Sequence, residues 1–307
     1  MAHGFDHTVV VGKEGTAGTK ASAFSWLTIL ESFEPEENAN VDQRKGIGQR
    51  TPMKLRTGAR GYEGSFGGVL QNARPIFMAL GKQSAPTGDA TAGFTRTLTP
   101  IGKGETLPSF TFQHNIAEGT PLLRNYVGGK VDTLTVSAKA EEAVEVEGDM
   151  IFLNLDQTGT ASAVTAELNN YYMFYEGTVK INNAQVANIS EFELEISNNL
   201  EARFFVNGKD TAGKIEEGSL DLALSMTMDY ESAVQFDLFK TGADIAVELT
   251  LQDIAEPKNS IKIVLSGGKY DTNAIGAGAE DVTEQEMEAV FTDITVTAKD
   301  VLTNLFA

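Results

Sequence analysis

Cysteine is absent from the chain, which excludes both a disulfide framework and a thiolate metal site. Histidine is nearly absent, at positions 3, 7 and 114 only. No His-x-His or HExxH spacing links these three, so no histidine-based metal centre is indicated. His3 and His7 are expected in a frayed terminus and His114 at the end of a strand. A single Trp leaves little for stacking against sugars. Basic residues are also scarce, with 24 Lys and Arg against 43 Asp and Glu, for a net charge of -19. Such a surface repels phosphates and argues against nucleic-acid binding through a basic patch. The start, Met1 to His7, lacks the charged and apolar regions of a signal peptide. No apolar run approaches the roughly 20 residues that span a bilayer. A soluble protein assembled in a reducing cytoplasm, without a membrane, is the expectation.

Catalytic signatures are missing too. Glu63-Gly-Ser-Phe66 has Glu where a nucleophile elbow needs Gly. The stretch Gly12 to Lys20 has the wrong spacing for a phosphate loop and reads as a Gly/Thr-rich loop. Gly276 to Asp281 lacks the third Gly of a dinucleotide fingerprint. The acidic runs Glu141 to Asp149 and Glu280 to Glu288 lack the order of a calcium loop. Glu145 and Glu147 alternate with Val144 and Val146 and so form the solvated face of a strand. No enzyme activity and no cofactor are expected.

What the chain does have is alternation. Phe94 to Thr99, Ser109 to Phe112, Val131 to Ser137, Phe192 to Ile196, Ser219 to Met228 and Ile245 to Thr250 all run with period two and are rich in Thr, Phe and Val. These are half-buried antiparallel strands. The 41% hydrophobic content and 17 Phe suffice for a core, and 30 Gly suit a loop-rich β protein. Two short helices are predicted, Pro75 to Leu80 stopped by Gly81 and Glu231 to Lys240 stopped by Gly242.

The two halves also echo one another. Leu30-Glu-Ser-Phe-Glu34 matches Ile189-Ser-Glu-Phe-Glu193, and Glu63-Gly-Ser-Phe66 matches Glu217-Gly-Ser-Leu220 at what reads as the start of a strand. A Gly-stopped helix follows in each half. Strands at Phe94 and Ser109 match those at Ile245 and Ser260, and Leu134 to Lys139 matches Ile294 to Lys299. An internal duplication follows, with one domain over 1–155, a small polar linker over 156–170 and a second domain over 171–307. Two copies are too few for a solenoid.

The order of these elements resembles the tail tube protein fold of tailed viruses. Tyr62 to Phe66, Ile76 to Gly81, Phe110 to Phe112 and Tyr126 to Val136 are similar to segments of the long tail tube proteins of non-contractile tails, in siphovirus-type bacteriophages or archaeal tailed viruses. Ile189 to Asn199 and Lys214 to Leu220 continue the likeness. The resemblance implies tandem β-sandwich or barrel domains, each with a flanking helix. It also implies rings of six domains whose inner sheets join edge to edge, and loops that clasp the next ring. Two domains per chain make a trimeric, pseudo-hexameric ring the expectation over a ring of six chains. Such rings would stack head to tail in the virion tail, meeting the tape measure, terminator and distal tail proteins. DNA would pass the lumen without specific binding, and lumen carboxylates would keep it mobile. Polar strand faces offer Glu216, Asp221 and Glu248 as lumen candidates. Competing readings are a secreted or surface adhesive tandem β-sandwich protein and a carbohydrate-active enzyme on a β scaffold.

Overall fold

The computed structural model describes residues 3–118, 121–276 and 282–306. The first part of the chain forms β1 (His7–Lys13), β2 (Ile29–Asn38), β3 (Asp42–Arg44), β4 (Lys54–Arg56), β5 (Gly61–Val69) and helix α1 (Arg74–Leu80). It continues through β6 (Gly81–Gln83), β7 (Thr87–Asp89), β8 (Gly93–Pro100), β9 (Phe110–Ile116), β10 (Leu122–Lys139), β11 (Glu145–Phe152) and β12 (Asn154–Asp156). The second part forms β13 (Gly177–Ile181), β14 (Ala184–Val186), β15 (Ile189–Ser197), β16 (Glu201–Arg203), β17 (Lys214–Glu216) and β18 (Asp221–Asp229). Helix α2 (Val234–Thr241), β19 (Ile245–Gln252), β20 (Ser260–Ile275), β21 (Glu284–Phe291) and β22 (Asp293–Asp300) complete it. The protein is mainly β, as its alternating sequence predicts.

One antiparallel sheet runs through both parts in the order β2-β5-β11-β10-β15-β18-β21-β20. Its first four strands precede residue 156 and its last four follow residue 171. The pairing sequence of the first four is repeated by the last four, and the junction is β10 against β15. Two smaller sheets back it: β1-β9-β10-β12 and β14-β13-β19-β20-β22-β8. The long strands β10 and β20 belong to front and back layers alike, and each turns the corner at a Gly pair. Gly128 and Gly267 have φ of 70° and 64°, a conformation only Gly adopts without strain. The corners carry nearly the same hexapeptide, Gly128-Gly-Lys-Val-Asp-Thr133 and Gly267-Gly-Lys-Tyr-Asp-Thr272.

Register corrects several of the matches expected from sequence. Phe33 pairs with Phe66 as Phe192 pairs with Met226, so the match of Leu30–Glu34 with Ile189–Glu193 stands. Tyr62 lies opposite Phe152 and Leu222 opposite Phe291, which sets Glu63–Phe66 against Ala223–Met226. Glu63–Phe66 therefore sits inside β5, whereas Glu217–Leu220 precedes β18. There Glu217 makes contacts of its own, binding Lys130 at 2.6 Å and accepting from the Leu107 amide. Strand β8 is not the counterpart of β19. It pairs with β22, at the edge of a sheet otherwise built from the second part of the chain, and it carries β6 and β7. The counterpart of β19 is β9, since each lies between the first strand of its part and the long corner strand. Strand β22 likewise corresponds to β12 rather than to Leu134–Lys139. Most of the matched strands alternate with period two, so short matches between different strands cost nothing in pattern.

The core is continuous between the layers. Phe33, Phe66, Phe112, Tyr126 and Phe152 form an aromatic cluster at one end, and Leu, Ile, Val and Met fill the other. Helix α1 has Pro75 in its first turn, is capped by Gly81 in the left-handed region (φ 87°) and is buried throughout. The chain end closes over it, with Phe306 against Phe77 and Phe110 and Arg74 donating to the Leu305 carbonyl. Helix α2 begins at Val234, three residues later than expected, and no residue of it is buried. Residues 157–171 have no regular structure. The segment 156–170, expected as a bare linker, is pinned to the first part: Gln71 donates to the carbonyls of Glu167 and Asn169, and Arg74 binds the Glu167 carboxylate.

Candidate assembly surface

Strand alternation places one residue in two of the eight-stranded sheet on an outer face, and that face is acidic. Cross-strand rows can be followed across the β10/β15 junction. One row runs Glu34, Ser65, Asp149, Thr133, Ser197, Asp221. The next contains Ser32, Gly67, Glu147, Thr135, Glu195 and Ala223. A third contains Glu145, Ser137, Glu193, Ser225, Glu288 and Thr272, and a fourth Lys139, Glu191, Thr227, Glu286 and Ala274. Lys139 is the one base in these rows. The carboxylates recur at corresponding places: Glu34 with Glu193, Glu147 with Glu286, and Asp149 with Glu288. Within each row nearly every carboxylate stands opposite Ser, Thr, Gly or Ala, so the face gathers negative charge without setting like charges directly opposite one another. It presents a continuous negative potential to whatever lies in front of it.

The sequence-derived candidates do not gather there. Asp221 lies in the first row, where its carboxylate accepts from Asn199 Nδ2 at 2.7 Å. Glu216 stands on β17, away from the face, between Lys214 and Arg203, whose hydrogen bonds hold its carboxyl below the usual range. Glu248 belongs to β19 in a back sheet, bound to Lys262 at 2.6 Å and Lys180 at 3.0 Å, and hydrogen bonds from these lysines lower its pKa. Period two identifies a polar face but not which sheet carries it, hence the scatter.

Two hairpins stand out from the front sheet. β3 and β4 form one, β16 and β17 the other, and each springs from an Asn in the left-handed region, Asn40 (φ 42°) or Asn199 (φ 48°). Asn40 Nδ2 donates to the Ala59 carbonyl at 2.8 Å, and Asn199 Nδ2 to the Ser219 carbonyl at 2.9 Å. Gly58 and Gly218 sit beside them, where an added Cβ would lie 2.4 and 2.5 Å from the Asn40 and Asn199 carbonyl oxygens. The root of the first hairpin touches the second through Arg60 and Asp210 at 3.1 Å. Their chemistry differs. The first carries Arg44, Lys45, Arg50, Lys54 and Arg56 against Asp42 alone, with Ile47 fully exposed. The second balances its charges and exposes Phe204, Phe205 and Val206.

Two further polar groups lie inside the fold, around His114 and around Glu14. His7 starts β1 instead of fraying, and its Nδ1 lies 3.1 Å from His114 Nε2. Arg124 donates to His114 Nδ1 at 3.2 Å, so His114 carries its proton on Nε2. Burial, then Arg124 and His7, lower its pKa to about 4. Gly12 and Lys13 finish β1, and the loop after them is tied by buried Glu14, which accepts from Thr111, Gly18 and Gly128. That carboxylate braces the first Gly corner. Of the loop expected over Gly276–Asp281, residues 277–281 lie outside the described residues. Among the described residues no group of three or more His, Asp or Glu is placed to hold a metal, and no helix is long and apolar enough to cross a membrane.

A β protein whose conspicuous surfaces are an acidic sheet face, free strand edges and projecting hairpins is built to meet other macromolecules. The family described as phage tail tube protein matches residues 4–298, nearly the whole chain, and the protein belongs to that family. It is thus a structural component of the virion tail, and membership implies assembly with itself and with other tail proteins. A comparison with curated proteins finds no match.

Proposed function

We propose that the protein polymerises as stacked rings into the hollow tube of a long, non-contractile tail, through which DNA passes during ejection. The observation that carries this reading is the eight-stranded sheet, with one acidic face, a pairing order that repeats and both outer edges open. Two tandem domains, 1–155 and 171–307, joined by 156–170, would each supply one sixth of a ring, so three copies close it. The first domain lends β8 to the second, which fixes the two as one building block. We assign the acidic face to the lumen, with Glu193, Glu286, Glu288 and their counterparts Glu34, Glu147 and Asp149 lining it and Asp221 among them. Glu216, paired with Lys214 and Arg203, and Glu248, paired with Lys262 and Lys180, are assigned elsewhere. A duplex carries a charge about every 1.7 Å, and each phosphate neutralised by the wall would add affinity and drag; carboxylates keep the wall non-adhesive. Rings stack head to tail and assemble in the host cytoplasm, where the tape measure, terminator and distal tail proteins are met.

Charge reversal tests the reading. Virions carrying Glu193→Lys, Glu286→Lys and Glu288→Lys together should eject DNA several-fold more slowly, most visibly at low salt, as single-particle release kinetics would record. Ejection at the wild-type rate from normal-looking tails would count against a lumenal position for this face.

A further inference from the structure

Asn207-Gly208 is the one Asn-Gly step in the sequence, and it lies at the tip of the second hairpin. Residues 203–210 are all exposed. The shoulders of this tip are held. The Gly213 amide donates to the Arg203 carbonyl at 2.9 Å, and the Arg60 amide donates to the Asp210 carbonyl at 2.7 Å. Phe205 leans back over Gly213, where an added Cβ would lie 2.6 Å from its ring. Between the shoulders the chain turns through Gly208 in the left-handed region (φ 78°). An added Cβ there would meet nothing within 4 Å.

Three features of this turn bear on its chemistry. The Gly208 amide nitrogen, next along the chain from the Asn207 side chain, donates no hydrogen bond among the described residues. The Asn207 Oδ1 accepts from the Lys209 amide at 3.1 Å, which draws electron density from Cγ and is placed to stabilise negative charge on that oxygen. The Asn207 Nδ2 makes no hydrogen bond among the described residues. By contrast, the Nδ2 groups of Asn40, Asn188 and Asn199 donate to the carbonyls of Ala59, Asp229 and Ser219. Each of those three is also followed by a branched side chain, Val41, Ile189 or Leu200, which crowds the next backbone nitrogen.

We propose that Asn207-Gly208 is a self-modification site, at which a neutral tip converts itself to an acidic one as the chain ages. The Gly208 nitrogen attacks Asn207 Cγ and closes a cyclic imide. The N–Cγ bond forms, the Cγ–Nδ2 bond breaks, and ammonia leaves carrying the proton that the Gly208 nitrogen gave up. Ring closure between chain neighbours needs no second molecule and gains from their proximity. Water then opens the imide at either carbonyl. Attack at Cγ leaves aspartate in the ordinary chain, whereas attack at the main-chain carbonyl leaves isoaspartate, with the chain rerouted through the side chain. Either product sets a carboxylate beside Phe204, Phe205 and Val206, the apolar side chains that the tip exposes. The first hairpin has no Asn-Gly step, so the change falls on one arm alone and sets an acidic arm beside a basic one.

Peptide mapping by mass spectrometry, on the full chain held folded in mildly alkaline buffer, tests the site. Exchange of amide for acid at position 207 should run at least about tenfold faster than at Asn40, Asn188 or Asn199, with aspartate and isoaspartate both present. Gly208→Ala should slow it about tenfold, because a Cβ crowds the attacking nitrogen. Ala is strained at positive φ, so Asn207→Gln supplies an independent arm. It keeps an amide but lengthens the ring to be closed, and position 207 should then stay unmodified over the same period with the urea midpoint unchanged. The folded tip should also react within about threefold of the rate in the chain unfolded by urea, since nothing at the tip must open first. Exchange at 207 no faster than at Asn40, or fast only in urea, would overturn the site. Aspartate without isoaspartate would mean direct hydrolysis and overturn the imide route. The measurement uses unassembled chains, so either outcome leaves the ring reading untouched.

Discussion

Removing Asp300 should be the most informative single change to the building block. Asp300 ends β22, and its carboxylate meets Arg96 of β8 at 2.9 Å, with the two side chains 7% and 1% exposed. Arg96 also donates to the Leu302 carbonyl. Burial raises the Asp300 pKa in spite of Arg96, and burial lowers that of Arg96. Neither partner is fully satisfied, since Arg96 Nε and Asp300 Oδ2 lack hydrogen bonds. Breaking a buried pair leaves an uncompensated charge and costs about 3 to 5 kcal/mol. The Leu302 carbonyl remains for Arg96, so Asp300→Ala is expected near the lower end, about 3 kcal/mol. Replacing both, as Arg96→Met with Asp300→Leu, removes the desolvation cost as well and should fall within about 1 kcal/mol of wild type. Urea unfolding followed by Trp26 fluorescence, a probe in the first part of the chain, and by circular dichroism, which sees all of it, measures both. Because β8 belongs to a sheet of the second part, the two probes should give coincident transitions. A loss under about 1 kcal/mol for Asp300→Ala, or an equal loss for the double variant, would refute the view that this pair ties the two parts together.

His114 gives a pH dependence. Its folded pKa of about 4 lies below the unfolded value near 6.5, so the unfolded chain binds more protons between these limits. The contribution is present above about pH 6.5 and is lost as pH falls through 4, on the order of 2 kcal/mol after allowing for solvent screening. The difference in unfolding free energy between pH 7 and pH 4.5, taken from urea curves, should shrink by that amount in His114→Gln, and an unchanged difference would contradict it. The Gly corners predict matched losses. A Cβ at Gly128 would lie 2.6 Å from Leu153 and one at Gly267 2.2 Å from the Thr292 hydroxyl, both at positive φ. Each Ala substitution should therefore lower stability by about 1 to 3 kcal/mol, read from thermal or urea midpoints; a loss at one corner only would mean the corners are not equivalent.

Fold class was legible because burial obeys period two: Glu191, Glu193 and Glu195 face out while Phe192, Leu194 and Ile196 face in. The helices were legible from Pro75, Gly81 and Gly242. Element matching was not, because alternation makes all strands alike. The motif shared by Glu63–Phe66 and Glu217–Leu220 drew attention to unrelated positions. The repeat that does mark equivalent corners, Gly128–Thr133 and Gly267–Thr272, is longer, contains two Gly and was available in the sequence. Lumen candidates could not be chosen from alternation, since which sheet carries a polar face depends on long-range pairing. Glu248 and Glu193 have the same local pattern, yet one lies in a back sheet among lysines and the other on the acidic face. The charge of the first hairpin, by contrast, is plain in the run from Arg44 to Arg56.

A density map of the assembled tube tests the central proposal most directly. It should contain three chains per ring, with the face bearing Glu193, Glu286 and Glu288 turned to the lumen. A ring of six chains, or a lumen lined by a back sheet with the acidic face outside, would contradict it.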